Sequence, residues 1–256
     1  MGKLRVTEVE SAVLVDGKGD ALSPLTLSAT VAGFVALEPG FKRAKLYCAS
    51  AWKLLLCPAL RVCAFLSGST YTDYRASVTD KSDSTHMPLD GMTTAQTLYL
   101  ATPTIMGGVY VDVGSNVNAE AGSALAVKFY NGSAFADVVG DSDLTAGGGI
   151  TLTKDGLYSW TVPASDPVTG STLGLSGLPH LDEPLHWISI APSITLTGET
   201  VDINELIPMS RHETYMVMQG GQEYEIPIDP EQVGGIQVLS VSGGPALYID
   251  WIKAKA

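Results

Sequence analysis

The residues of this chain that could carry out chemistry are few, and the first group is acidic. Asp141, Ser142 and Asp143 precede a run of three glycines at 147–149, which is a composition found in calcium-binding loops. The helix–loop–helix calcium motif also requires a third oxygen ligand, a glycine at its sixth position and a glutamate at its twelfth, and these are absent. We therefore predict a solvated acidic loop.

The four histidines lack the pairing with a nucleophile that a catalytic site requires. A metal site or an acid–base pair is conceivable at the spacing of His180 and His186. Pro184 interrupts the segment between them, so the two rings fit neither one face of a helix nor one face of a strand. We predict that both are loop residues with ordinary titration, and that His86 and His212 are isolated in polar loops.

The motifs that mark common enzyme families are missing from the sequence. It contains no Gly-x-Ser-x-Gly nucleophile elbow, no P-loop, no dinucleotide fingerprint and no His-Glu-x-x-His zinc helix. We therefore assign no catalytic, cofactor-binding or metal-binding residue and expect a protein that is not an enzyme and uses no cofactor. The enzymatic alternative is a hydrolase on a β scaffold, for which no motif is present.

The cysteines and two of the tryptophans are predicted to be core residues. Cys48, Cys57 and Cys63 are odd in number, and their spacings fit neither a disulfide framework nor a zinc site. We interpret them as small buried hydrophobes in a reducing compartment. Trp160 and Trp187 could stack on sugars, but tryptophan in a β-sandwich is more often buried, which is the prediction here.

The elements that must position these residues are β-strands, because apolar residues recur with a period of two. Val109, Val111 and Val113 alternate with polar neighbours. Asn131-Gly132 separates the segments 124–130 and 133–139 and predicts a hairpin with a two-residue loop, since both residues tolerate positive φ. In that register one face is wholly apolar: Leu125, Val127, Phe129, Ala134, Ala136 and Val138. The opposite face carries Lys128, Tyr130, Phe135 and Asp137.

Many further short strands are predicted, separated by Gly and Pro turns. A second hairpin is expected at Asp155-Gly156, between 150–153 and 157–162, with Pro163 ending its second strand. Other strands are expected at 43–48, 52–56, 61–66, 98–100, 187–190, 194–196, 215–218, 224–228, 236–241 and 247–252. Loops are expected at 71–91 and 164–182.

The fold class predicted from these patterns is mainly β, with tandem β-sandwich or jelly-roll domains and a C-terminal β extension. We divide the chain into an N-terminal arm (1–21), a β-sandwich domain (22–97), a jelly-roll-like β-sandwich (98–196) and a C-terminal β segment (197–256). The sequence leaves open whether the C-terminal strands complete a sandwich, such as the 22–97 domain, or form a small unit of their own.

The charge of the chain restricts the partners that we expect. Its net charge is −12 and it has no Lys/Arg run, so direct binding to nucleic acid or to an anionic membrane is not expected. No segment approaches 18 uninterrupted apolar residues, and no signal peptide is recognisable at Met1. Charged residues make up only 16% of the chain, which favours association with other subunits.

An ordered series of motifs runs from Leu98 to Ile190. It begins with Leu98-Tyr99-Leu100 and Gly108-Val109-Tyr110-Val111-Asp112-Val113, followed by the hairpin from Phe129 to Val138. The series ends with Asp141-Ser142-Asp143-Leu144-Thr145, Gly156-Leu157-Tyr158-Ser159-Trp160-Thr161-Val162-Pro163 and His186-Trp187-Ile188-Ser189-Ile190. In order and spacing this series resembles a β-sandwich module of structural proteins of tailed bacteriophages.

Three positions depart from that module. Phe135 stands where the module usually has tryptophan, His186 where it has tyrosine, and Ser189 where it has arginine. The shared motifs are apolar and turn signals, so they specify a fold more than a role.

The resemblance implies a virion component assembled in the host cytoplasm. We expect a capsid decoration (cement) protein that contacts the major capsid protein or other virion proteins and forms a homo-oligomer, since the chain has no fibre-like repeats or heptads. A tail, baseplate or fibre-associated component is the alternative within the virion. A carbohydrate-binding host-attachment module is the other, and it needs an exposed aromatic platform such as Tyr158 or Tyr110.

Overall fold

The protein is built almost entirely of β-strands. The computed structural model describes residues 5–8, 25–29, 33–36, 41–80, 84–161, 166–196, 201–209 and 215–253. These residues include no α-helix, only one 3-10 turn at Gly170–Leu173, and none of their helical segments is long and apolar enough to cross a membrane. The prediction of a mainly β fold of the sandwich type is confirmed.

The strands in chain order are β1 (Arg5–Glu8), β2 (Leu25–Thr26), β3 (Gly33–Ala36), β4 (Phe41–Cys48), β5 (Trp52–Pro58), β6 (Val62–Ser67), β7 (Thr70–Asp73), β8 (Met87–Pro88), β9 (Thr97–Thr102), β10 (Gly108–Val113), β11 (Leu125–Tyr130), β12 (Phe135–Asp137), β13 (Val139–Asp143), β14 (Gly156–Thr161), β15 (His186–Pro192), β16 (Asp202–Met209), β17 (Met216–Met218), β18 (Gln222–Pro227), β19 (Val233–Ser240) and β20 (Ala246–Lys253).

The chain divides into two compact units, one of which is inserted in the other. Unit 1 combines Met1–Cys57 with His212–Ala256, and unit 2 is the continuous stretch Pro58–Arg211. The two units are therefore not tandem along the chain. The boundary predicted at 97/98 falls inside β9, a strand that pairs with β6 in unit 2. The boundary predicted at 196/197 leaves β16 with the C-terminal strands, whereas β16 pairs with β10 in unit 2.

Unit 1 has two antiparallel sheets. The first has the order β1-β18-β4-β20-β2 and the second β17-β5-β19-β3. Alternating residues of β4, such as Leu46, and of β19, such as Val238, are completely buried between the sheets together with Trp52. Of the predicted N-terminal arm (1–21), only residues 5–8 belong to the described part of the chain, where they form the edge strand β1.

Unit 2 also has two antiparallel sheets, with an apolar core between them. The five-stranded sheet has the order β13-β14-β10-β16-β8, and the six-stranded sheet has the order β12-β11-β15-β9-β6-β7. Val109 and Val111 of the first sheet meet Leu100 and Ile188 of the second in this core. The predicted alternation of β10 is thus confirmed, with its valines inward and Tyr110 on the other face.

The hairpin at Asn131 forms, but its register differs from the predicted one. Phe129 lies opposite Ala136 and Tyr130 opposite Phe135, so the loop has four residues instead of two. The Asn131 side chain causes this, because its Oδ1 accepts hydrogen bonds from Ser133 N, Ser133 Oγ and Ala134 N. The shift is by two residues, so both strands keep their predicted faces.

Some other predictions of strands and loops are also wrong. Residues 150–153 do not pair with β14, which lies between β10 and β13. Residues 194–196 form no strand, and the predicted loop 71–91 contains most of β7 and all of β8. The prediction that Pro163 ends β14 falls outside the described residues.

Replacing Asn131 by alanine removes the acceptor of three turn hydrogen bonds. The turn is exposed and each such bond contributes about 0.5–1.5 kcal/mol, so we expect a loss of about 1–2 kcal/mol in the free energy of unfolding, measured by urea denaturation. Ser133→Ala, which deletes one of the three bonds, is the control. An Asn131→Ala protein as stable as that control would contradict the role assigned to the turn.

Candidate binding surfaces

The outer face of the six-stranded sheet carries a row of aromatic rings. Tyr71, Tyr99, Phe135 and Tyr130 form this aromatic row, with centroid separations of 6.4, 5.7 and 5.4 Å between successive rings. The first three are half-buried and Tyr130 is buried. Such pairs stabilise a sheet face by edge and offset contacts. Burial and the neighbouring Tyr71 raise the pKa of Tyr99, so its hydroxyl stays protonated at neutral pH.

The rest of this outer face is covered by residues 166–185, which we call the cover segment. It contributes leucines that pack against Trp187 and the neighbouring strands in a second apolar cluster. Gly170 packs closely here, because a Cβ at this position would lie 2.3 Å from a methyl carbon of Leu181 and 3.1 Å from the Trp187 ring, so a larger residue would displace the Leu181 side chain. Trp187 also donates its indole N–H to the Val168 carbonyl at 2.8 Å. Trp187 and Trp160 are both buried, as predicted.

A buried arginine anchors the cover segment. Arg61 donates to both carboxylate oxygens of Glu183, from Nη2 to Oε1 at 2.7 Å and from Nε to Oε2 at 3.1 Å. His180 Nδ1 lies 2.7 Å from the same Oε1. Hydrogen bonding from Arg61 is the main reason that the pKa of Glu183 falls to about 2. The cluster fits a structural clamp, since each of its members is committed to another.

The loop position predicted for His180 is confirmed, and the predictions for His186 and His86 are wrong. His180 lies in a loop, as predicted, with the left-handed φ of 60°. His186 instead begins β15, opposite Thr102, and burial lowers its pKa. His86 is not isolated, because its Nε2 lies 3.3 Å from Oδ1 of Asp202. His212 falls outside the described residues.

The acidic residues of the predicted loop stabilise the protein's own backbone. Asp143 Oδ1 accepts hydrogen bonds from Thr145 N and Thr145 Oγ1, and its Oδ2 accepts one from Thr151 Oγ1. Asp141 lies 2.8 Å from the hydroxyl of Tyr158. The predicted loop is wrong at Asp141, Ser142 and Asp143, because all three lie on the edge strand β13, which pairs with β14. The described residues contain no cluster of three or more His, Cys, Asp or Glu side chains suited to a metal.

The cysteines and the predicted sugar platforms are also located. Cys48, Cys57 and Cys63 are buried free thiols, and burial raises their pKa values, so the thiolate form that reacts is suppressed. Tyr158 is buried and is not an exposed platform. Tyr110 is half-buried.

A polar cleft lies in unit 2 beside the end of β10. Its polar lining consists of His86, Asp112, Ser115, Asn116, Asp202 and Asn204. Sequence reasoning missed it because His86 and Asp202 are more than a hundred positions apart, in a predicted loop and in the predicted C-terminal β segment (197–256). The β16 strand that brings them together carries no clear period-two pattern.

Two edge strands expose apolar side chains. Val139 on β13, at the edge of the five-stranded sheet of unit 2, is 72% exposed. Val217 on β17, at the edge of the four-stranded sheet of unit 1, is 62% exposed. An edge strand with an exposed apolar side chain is a site for contact with another chain.

Comparison with known proteins finds no counterpart. No family model, no curated protein and no solved structure matches the chain.

Replacing Glu183 by glutamine tests the clamp. The substitution removes the carboxylate that binds two nitrogens of the buried Arg61, and since Glu183 is 36% exposed we expect a loss of about 1–2 kcal/mol in the free energy of unfolding at pH 7. The pKa of Glu183 is lower in the folded protein than in the unfolded chain, where it is about 4.3. Ionised Glu183 therefore stabilises the folded protein at pH values above about 4.3. The difference from wild type should therefore shrink as the pH falls below about 4 and vanish only below pH 2, where Glu183 is protonated in the folded protein as well.

Urea denaturation at several pH values measures this difference. Asp137→Asn, at an exposed ion pair with Lys128, is the control and should change stability little at any pH. A Glu183→Gln effect that stays constant from pH 7 to pH 2 would contradict the clamp.

Proposed function

We propose that this protein is a structural, non-enzymatic component of a tailed-bacteriophage virion, and that it decorates the capsid shell by contacts with neighbouring subunits. The observation that carries the proposal is the exposure of Val139 and Val217 on edge strands. A structural protein needs such surfaces, because buried apolar area and added strands hold subunits together.

The sequence resemblance supports the virion assignment. The motifs from Leu98 to Ile190 all fall within unit 2, where β9, β10, β11, β14 and β15 contribute to one two-sheet core. The Asn131 turn and the Asp143–Thr145 loop are held by their own side chains, so these motifs have a structural reason to occur. A low content of charged residues, 16%, is a further feature suited to association.

Binding to capsids tests the proposal. Purified protein is expected to co-sediment with assembled shells that lack it and to raise their melting temperature. A lysine at an edge position places a charge in the contact, so Val139→Lys or Val217→Lys should weaken shell binding at least tenfold. Val117→Lys is the matched control, since Val117 is 40% exposed in a loop outside any strand, and it should bind as wild type.

The outcome separates the two virion positions. Binding to purified tails but not to shells would contradict decoration and favour the tail or baseplate alternative. Binding to neither would contradict a virion role altogether.

A further inference from the structure

The polar cleft of unit 2 is shaped by an irregularity in the pairing of β10 with β16. Asp112 lies opposite Glu205 and Val113 opposite Ile203, so Asn204 is an extra residue on β16. Such bulges bend a strand and redirect side chains at its end. Asn204 is thereby turned toward the chain that leaves β10.

A glycine brings that chain close to β16. The Gly114 N–H donates to the Asp202 carbonyl at 2.9 Å, and a Cβ at Gly114 would lie only 2.9 Å from Oδ1 of Asn204. Any larger residue at this position would displace the Asn204 amide. The bulge and the close approach together place Asp202 and Asn204 in the lining of the cleft.

Asp202 has a buried carboxylate with one incompletely satisfied oxygen. Its side chain is 8% exposed, and its Oδ2 accepts a hydrogen bond from Asn116 Nδ2 at 2.7 Å. Its Oδ1 receives no hydrogen bond from the described residues, and its nearest basic atom is His86 Nε2 at 3.3 Å. A buried carboxylate oxygen without a hydrogen-bond donor is energetically unfavourable. A ligand hydroxyl that donates to Oδ1 would remove that penalty.

The lining favours one chemical class of ligand. Carboxylates of Asp112 and Asp202 accept hydrogen bonds, and the amides of Asn116 and Asn204 both donate and accept. A pair of carboxylates repels anions, and the described residues contain no group of three or more His, Cys, Asp or Glu side chains placed to hold a metal ion. Paired donors and acceptors suit the neighbouring hydroxyls of a neutral sugar, each of which gives and receives a bond.

An aromatic side chain lies beside these groups. Tyr110 and Asp112 project from the same side of β10, since alternate residues of a strand share a face. Burial, followed by the charges of Asp155, Asp112 and Glu205, raises the pKa of Tyr110 to about 12. The ring of a half-buried tyrosine offers the apolar surface on which a sugar ring packs.

We propose that this cleft binds a neutral saccharide, with the Asp112 and Asp202 carboxylates accepting hydrogen bonds from its hydroxyls. The site does not depend on the virion role, because it rests on side chains of unit 2 alone.

The experiment is a binding screen against immobilised oligosaccharides of glucose, galactose, mannose and N-acetylglucosamine, with sialylated and sulfated glycans beside them. We expect binding to neutral members and not to the acidic ones. The best neutral oligosaccharide is then titrated calorimetrically against variants. Asp202→Asn and Asp112→Asn each remove a charged acceptor and should weaken binding at least tenfold. Asp137→Asn, on β12 of the other sheet and 82% exposed, is the control and should bind as wild type.

Thermal unfolding checks that each variant folds. If Asp202→Asn is unfolded, Asp112→Asn decides, since Asp112 is only half-buried at the cleft. The proposal is overturned if no neutral oligosaccharide binds, or if the folded variants bind as tightly as wild type.

Discussion

The pairing of β4 with both β18 and β20 is the constraint on which unit 1 depends. Arg43 and Glu225, which meet across β4 and β18, are 182 positions apart in the chain. Strands from the two parts of unit 1 must therefore come together before its first sheet can form. The chain between them is long, and closing so long a loop is entropically unfavourable. The insertion of unit 2 between β5 and β17 follows from this, because unit 2 is the chain that lies between the two halves.

The register of that sheet is specified by charge as well as by apolar alternation. Glu225, Lys45 and Asp250 are neighbours in one row across β18, β4 and β20, so the sign of the charge alternates along this row. Opposite charges on facing strands favour this register over its neighbours. On the other face of β4, Ala44, Leu46 and Cys48 are completely buried. A slip by one residue would exchange these two faces.

Local patterns in the sequence predicted the strands, and long-range contacts were not predictable from them. The alternation in β10 and β11 identified the inner faces correctly, because a period of two is set by the strand itself. The register of the Asn131 hairpin was missed by two residues, since the side chain of Asn131 and not its backbone preference determines the loop. The clamp between Arg61 and Glu183 joins residues 122 positions apart, and nothing near either one signals the other. The contact between His86 and Asp202 could not be predicted for the same reason, because these two residues are also far apart in the chain.

The virion role that we propose requires that the exposed edge strands of the two units contact other subunits. The most direct measurement is a cryo-electron microscopy reconstruction of the particle encoded with this chain, with the protein located by its two-unit density. If the proposed decoration role is right, we expect copies bound at symmetric positions on the outer surface of the capsid shell, with β13 or β17 at a contact. Density confined to the tail, or a particle that lacks the protein, would contradict it.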